Sequence, residues 1–192
     1  MDAAHFVFAP FLGIVWCFER LFVKAPSGRQ RFNVLAALNA MTHEVWTVKK
    51  LTDMTAETVC ELFAQLAKAH VGIPLAIILD NARYQRCTLV QMVADSWGIE
   101  LLYLPTYSPN LNLIERFWKF VKKQCLYSKY YSDSESFQQS IVTCIEQAPS
   151  THKKALESLL TLRFQTFHKV PVIGGQHKVS QGSKKKVLSS AA

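Results

Sequence analysis

The five residues Leu75-Ala76-Ile77-Ile78-Leu79 carry no polar side chain, follow Gly72 and Pro74, and stop at Asp80. A run this short and this apolar suits a strand buried on both faces of a sheet. Cys87 to Trp97 then shifts to helical spacing and ends at Gly98, and Ile99 to Leu104 is a second apolar run closed by Pro105. Strand, helix, strand predicts a right-handed parallel crossover, with both strands ending on the same edge of the sheet. Ligands of such sheets collect outside the carboxyl ends of the strands, which is where Asp80 stands. An acid at the tip of an apolar strand is poorly solvated, and costly unless it binds something positive.

Upstream, the first forty residues read as strands. Phe6-Val7-Phe8 is a short run broken by Pro10 and Gly13, and Val15 to Lys24 and Arg31 to Ala40 form a hairpin about the turn signal Pro26-Ser27-Gly28. His43 to Lys49 adds a short strand. Thr55 to Ala69 sets Val59, Leu62, Phe63, Leu66 and Ala67 at helical spacing, with Thr55 as N-cap candidate. Past Ser108-Pro109 a helix buries Leu113, Ile114, Phe117, Phe120, Val121 and Cys125, and two more are expected near Ser134 to Gln147 and Thr151 to Leu162. From about Gly174 onward Gly, Ser, Gln and Lys dominate, including Lys184-Lys185-Lys186. Residues 1–168 are therefore expected to fold as one domain, and 169–192 to be a disordered basic tail.

A chain of 192 residues, 49 % of them apolar, buries a substantial core, and its formal charge of +8 suits a polyanionic partner. Cys17, Cys60, Cys87, Cys125 and Cys144 are odd in number and scattered, with no C-x-x-C pair. That argues for a reducing cytoplasm and against a zinc site or a disulfide framework. No run approaches a membrane span, and no basic segment precedes an apolar one at Met1-Asp2, so neither an anchor nor a signal peptide is expected.

Between Asp80 and Glu115 lie 34 residues, enough for one helix, one strand and a proline-rich loop. A second acid returned to the first suggests a divalent-metal site. Hairpin strands, a crossover pair and an acid-bearing helix follow the order of an RNase H-like fold: α/β, a mixed five-stranded sheet flanked by helices. Such a fold puts a further acid on its first strand, where Asp2 stands. Asp2, Asp80 and Glu115 would make an all-oxygen site suited to Mg²⁺ or Mn²⁺. Two ions about 4 Å apart can activate a hydroxyl and stabilise the leaving oxygen of a phosphodiester. Blander readings stand beside this one: Asp2 as a solvated terminal acid, Asp80 as a helix cap, Glu115 as the ion-pair partner of Lys119. Arg116, Lys119, Lys122 and Lys123 share a helix with Glu115, and Arg29, Arg31 and Arg83 flank the other acids. As a group they are candidates for holding phosphates, and Tyr107 and Trp118 for stacking on DNA, although charge runs are usually solvated and Trp118 suits the core. His5 adjoins the first strand and reads better as a structural histidine than as a ligand.

Four stretches carry a resemblance: Met1-Asp2-Ala3-Ala4-His5-Phe6, Ala25 to Leu35 (APSGRQRFNVL), Leu79-Asp80-Asn81-Ala82-Arg83-Tyr84, and Leu104 to Trp118 (LPTYSPNLNLIERFW). They resemble the catalytic domain of bacterial insertion-sequence transposases of the mariner-like superfamily, whose triad is two aspartates and a glutamate. The resemblance spans about Met1 to Phe167. It implies that Asp2, Asp80 and Glu115 are catalytic and hold two Mg²⁺ or Mn²⁺ ions. It also implies that the partners are transposon-end and target DNA, bound by a homodimer or larger assembly in the cytoplasm, on the nucleoid.

The chain departs from that family in two places. Ala36 stands where the family usually has glycine, and the N-terminal helix-turn-helix region is missing. With almost nothing ahead of Asp2 to pair with a neighbour, the strand end is expected to fray and activity to suffer. The rival expectation is a non-catalytic remnant that binds DNA or a full-length transposase.

Overall fold

The computed structural model describes residues 1–8, 18–19, 30–105 and 108–164. The strands are β1 (Asp2–Phe8), β2 (Gln30–Leu38), β3 (Val45–Lys50), β4 (Leu75–Leu79) and β5 (Ile99–Tyr103). The helices are α1 (Ala56–Ala69), α2 (Thr88–Ser96), α3 (Leu113–Cys125), α4 (Ser134–Thr151) and α5 (Lys153–Leu159). The first strand begins at Asp2, four residues before the apolar run that announces it. Ala3 and Ala4 hide that start from a pattern search, because neither is a strong strand former. The strand expected from Val15 to Lys24 falls almost wholly outside the described residues, as does the tail.

Among the described residues five strands are paired in two sheets. β1, β2 and β3 form an antiparallel sheet in that order, and β4 and β5 a parallel pair. β4–β5 is the expected crossover, with α2 between the strands in sequence and Leu79 opposite Tyr103 at the shared end. One core packs β1 and β2 against α3, α4 and α5 through Phe6, Phe32, Phe117, Trp118 and Ile141. A second packs β2 to β5 against α1 and α2 through Leu35, Val59, Phe63, Ile77 and Leu79. Residues 2, 4, 6 and 8 of β1 therefore face the first core, as period-two alternation requires.

The expectation that β4 is buried on both faces is corrected. Ile77 and Leu79 are buried against α1 and α2, but Ile78 keeps 45 % of its surface exposed and Leu102 of β5 keeps 43 %. An apolar run reports the absence of polar partners and not how many layers cover it. Cys60, Cys87, Cys125 and Cys144 are free thiols. No helix among the described residues is long and apolar enough to cross a membrane.

Candidate active site

Three elements bring three acids to one corner. Asp2 opens β1, is buried, and lies opposite the fully buried Ala36 of β2. Asp80 follows the last residue of β4 and is exposed, while Glu115 sits half-buried in the first turn of α3. Two hydrogen bonds between residues far apart in sequence close the corner. The Met1 amine donates to the Ile78 carbonyl at 2.7 Å, and Asn112 Nδ2 donates to the Met1 carbonyl at 3.5 Å. The residue beside Asp2 is thus held by the strand that leads to Asp80 and by the residue that precedes the helix of Glu115. The expected fraying is corrected: Met1 is 6 % exposed, because its side chain joins the second core.

The electrostatics record the convergence. Burial first, then the charges of Glu115 and Asp80, lift the Asp2 carboxyl from 3.8 to a pKa of about 6, against the Ala3 backbone hydrogen bond and the Met1 amine. Neighbouring carboxylates disfavour one another's ionised form. Burial, with smaller pushes from the charges of Asp80 and Asp2 and against a hydrogen bond from Gln85, raises the Tyr84 phenol to about 12. Tyr84 therefore lies within reach of the same corner.

A local turn aims Asp80. Asn81 sits at φ 80°, in the left-handed region that asparagine tolerates better than branched residues. Its Nδ2 donates to the Leu104 carbonyl at 3.3 Å, tying the end of β4 to the end of β5. The Ala82 N–H donates to Asp80 Oδ1 at 3.3 Å. Asp80 thus caps this turn and not α2, which starts after Cys87. Glu115 is in neither of the ion pairs formed among the described residues, Lys49–Glu146 and Lys50–Glu61, so its pairing with Lys119 is not observed.

Among the described residues no three or more His, Cys, Asp and Glu side chains are gathered tightly enough to hold a metal ion as they stand. The acids are within electrostatic range and short of chelating distance. Their chemistry, three carboxylates with no thiol or imidazole, fits a hard divalent cation. The His5 ring is held elsewhere, with Nδ1 2.7 Å from Asn33 Oδ1.

The basic residues separate. Arg83 is exposed on the turn just after Asp80, and Lys119 and Lys123 are exposed along α3, with Lys122 half-buried. Lys119 and Lys123 flank a groove of about 720 Å³ against Ser158 and Leu159 of α5. Arg31 pairs with Val7, five positions along β2 from Ala36, so it lies roughly 17 Å from the acids along the strand. Arg29 and Tyr107 lie outside the described residues. Trp118 is core, packed edge-on to Phe6.

Arg116 is a correction. Its guanidinium donates to the carbonyls of Leu159, Thr161 and Arg163 at 3.4, 2.7 and 2.8 Å and lies over the Phe164 ring. Leu159 is the last residue of α5 and the other two carbonyls lie just beyond it, so the guanidinium holds the C-terminal segment and not a phosphate. Arg116→Ala is expected to lower stability by about 1–2 kcal/mol, since three charge-assisted bonds are lost at a half-exposed site. Affinity for DNA measured at a temperature where both proteins are folded should be unchanged. Urea titration and a binding isotherm separate the two effects. Asn112, Asn81 and Tyr84 are the contributors that residue type alone did not mark, because asparagine near a turn or helix start reads first as a cap.

Residues 19–138, more than half the chain, match the family of DDE superfamily endonucleases, and the chain belongs to that family. The matched span includes Asp80 and Glu115; Asp2 precedes it. Comparison with the curated proteins finds no match. Among solved structures the chain is similar to the Mos1 transposase paired-end complex with left transposon end, at 14 % identity over 82 % of this chain and 53 % of that one, TM-score 0.54. It is similar to the Mos1 mariner paired end complex with Mn at 12 % identity over 87 % and 55 %, TM-score 0.55. A simian T-cell lymphotropic virus intasome, in complex with a PP2A regulatory subunit, matches at 20 % identity over 74 % and 45 %, TM-score 0.50. At these identities the likeness is one of fold, the mixed α/β core of the RNase H-like class. The chain spans about half the length of these three solved chains.

Proposed function

We propose that this chain is the catalytic domain of a DNA transposase, which cleaves phosphodiesters at transposon ends and transfers the freed strand to target DNA. The observation that carries the reading is the convergence of Asp2, Asp80 and Glu115 on one corner, with the field of two of them acting on the third. Asp2, Asp80 and Glu115 would hold two Mg²⁺ or Mn²⁺ ions. Bound there, the ions supply activation of the attacking hydroxyl and stabilisation of the leaving oxygen. The chain's own part is to place the donors: Asn81 fixes the turn of Asp80, and Asn112 fixes the start of α3 against β1. Arg83, Lys119, Lys122 and Lys123 supply positive charge for the DNA backbone around that corner. We read the five strands as one mixed sheet in the assembled enzyme, supported by the Met1–Ile78 bond between the two halves. The working form is a dimer or larger assembly on DNA.

Mg²⁺ or Mn²⁺ is expected to raise the melting temperature, because binding to the folded state alone stabilises it and relieves the repulsion at Asp2. Asp80→Asn should abolish the metal-dependent part of the rise, and equal shifts in both proteins would remove Asp80 from the site. DNA binding by this chain should weaken steeply with salt and vary little with sequence, since phosphate contacts dominate it. Salt-resistant binding to one sequence, read from titrations at several salt concentrations, would contradict that.

A further inference from the structure

Two thiols meet where the end of α3 packs against α4. Cys125 is the last residue of α3, and Cys144 stands in the middle of α4. Cys125 is 1 % exposed in the first core, and Cys144 is half-buried against that core. The Cys125 thiol donates to the Ser140 carbonyl at 3.6 Å. Ser140 precedes Cys144 by one helical turn, so the same carbonyl accepts from the Cys144 N–H within α4. Helical side chains lean back over the preceding turn, which sets the Cys144 thiol above Ser140 and beside Cys125. The two thiols are hydrogen-bonded to each other. Tyr131 clamps the place: its hydroxyl donates to the Cys125 carbonyl at 2.6 Å and lies 2.7 Å from Ser140 Oγ.

A single buried cysteine is a small apolar filler. Two whose sulfurs already touch can be joined with little movement of either helix. Their surroundings also divide the protons between them. The hydrogen bond from Cys144 holds the Cys125 thiol below its ordinary range, against burial and with help from the Lys129 charge. That same bond, with burial, pushes Cys144 up. One sulfur is thus favoured as thiolate and the other as thiol, and the thiolate is the nucleophile. Both line a groove of about 460 Å³, shared with Lys129, Ser136 and His152, which is room enough for hydrogen peroxide.

We propose that Cys125 and Cys144 form an oxidisable dithiol, a modification site at which hydrogen peroxide joins α3 to α4 through a disulfide. The Cys125 thiolate attacks one peroxide oxygen, the O–O bond breaks, and hydroxide leaves and takes up the proton Cys125 had released. Cys125 is then a sulfenic acid. The Cys144 sulfur attacks the Cys125 sulfur, the S–O bond breaks, and the hydroxyl departs as water with the Cys144 proton. Two thiols lose two electrons and two protons, and the peroxide becomes two waters. A thiol reductant restores the pair by exchange. Glu115 lies in the first turn of α3, roughly 15 Å along the axis from Cys125. The modification therefore leaves the three acids untouched, and it stands or falls apart from the metal chemistry.

The test treats the reduced 192-residue chain with hydrogen peroxide, blocks remaining thiols with iodoacetamide at intervals, and maps tryptic peptides without reduction. Trypsin cuts at Lys123, Lys129 and Lys153, so the two cysteines fall in different peptides and their link is read directly. The Cys125–Cys144 link is expected to form roughly tenfold faster than Cys60 or Cys87 is oxidised, and dithiothreitol should remove it. In Cys144→Ser the reaction should stop at the Cys125 sulfenic acid, trapped as its dimedone adduct. In urea the preference should vanish, because only the fold brings the sulfurs together. Oxidation of Cys60 or Cys87 with no Cys125–Cys144 link overturns the proposal. So does a link that forms as fast in urea as in the folded chain. A link found only between two chains, seen as a covalent dimer, overturns it as well.

Discussion

Asp80→Asn and Glu115→Gln are each expected to reduce Mn²⁺-dependent DNA cleavage by more than the roughly 10–100-fold that loss of an outer-shell partner costs a metal site. Both substitutions keep side-chain size and remove only the negative charge that holds a divalent cation. Neither should unfold the protein. Asp80 is exposed and spends one oxygen on the Ala82 N–H, and Glu115 is half-buried in a first helical turn. Gel assays on end-bearing duplexes, with circular dichroism as the check on folding, measure the effect. Wild-type cleavage rates in either variant would mean that the corner is not where the chemistry happens.

Asp2→Asn is expected to move stability and activity in opposite directions. The folded Asp2 carboxyl titrates at about 6 against an ordinary value of 3.8. Between those values the folded chain keeps a proton that the unfolded chain has released, so stability falls as pH rises through the window. Above pH 6 the full penalty is present, and below about 4 it is absent. At 1.36 kcal/mol per unit the shift corresponds to an upper bound of about 3 kcal/mol at neutral pH. An asparagine cannot ionise, so Asp2→Asn should be more stable than wild type at pH 7.5, indistinguishable at pH 4, and unable to cleave. Urea unfolding at the two pH values decides it. Equal destabilisation at both would show that Asp2 contributes packing and not clustered charge. Saturating Mg²⁺ should narrow the difference at pH 7.5, because a cation at the corner favours the ionised form that burial opposes.

The crossover of β4 and β5, the acid at its tip and the helix bearing Glu115 were legible in the chain because each is a local pattern: an apolar run, a period change, a proline. What was not legible depends on partners. Whether β1 lies alongside β4 is written in neither strand's own pattern, and among the described residues the two are joined by the Met1–Ile78 hydrogen bond. Ile78 and Leu102 look identical in sequence to residues sandwiched between two layers, but nothing among the described residues covers them. Arg116 belonged by type to a basic helix face. One carbonyl at the end of α5 and two just beyond it claim it instead, and no spacing rule reports an unsatisfied carbonyl elsewhere. Arg31 flanks the first hairpin strand in sequence, yet the antiparallel register carries it to the far end of β1.

The bonds that close the corner span 77 and 111 residues of chain, from Met1 to Ile78 and from Asn112 to Met1. Contacts that long form only after the intervening helices and strands have found their places, because loop closure must be met before they reward it. Each acid rides on a different element, so no single hairpin, crossover or helix carries a usable set. A nascent or partly unfolded chain thus presents scattered carboxylates and no assembled corner. The three charges are brought against one another only once the rest of the chain is in place.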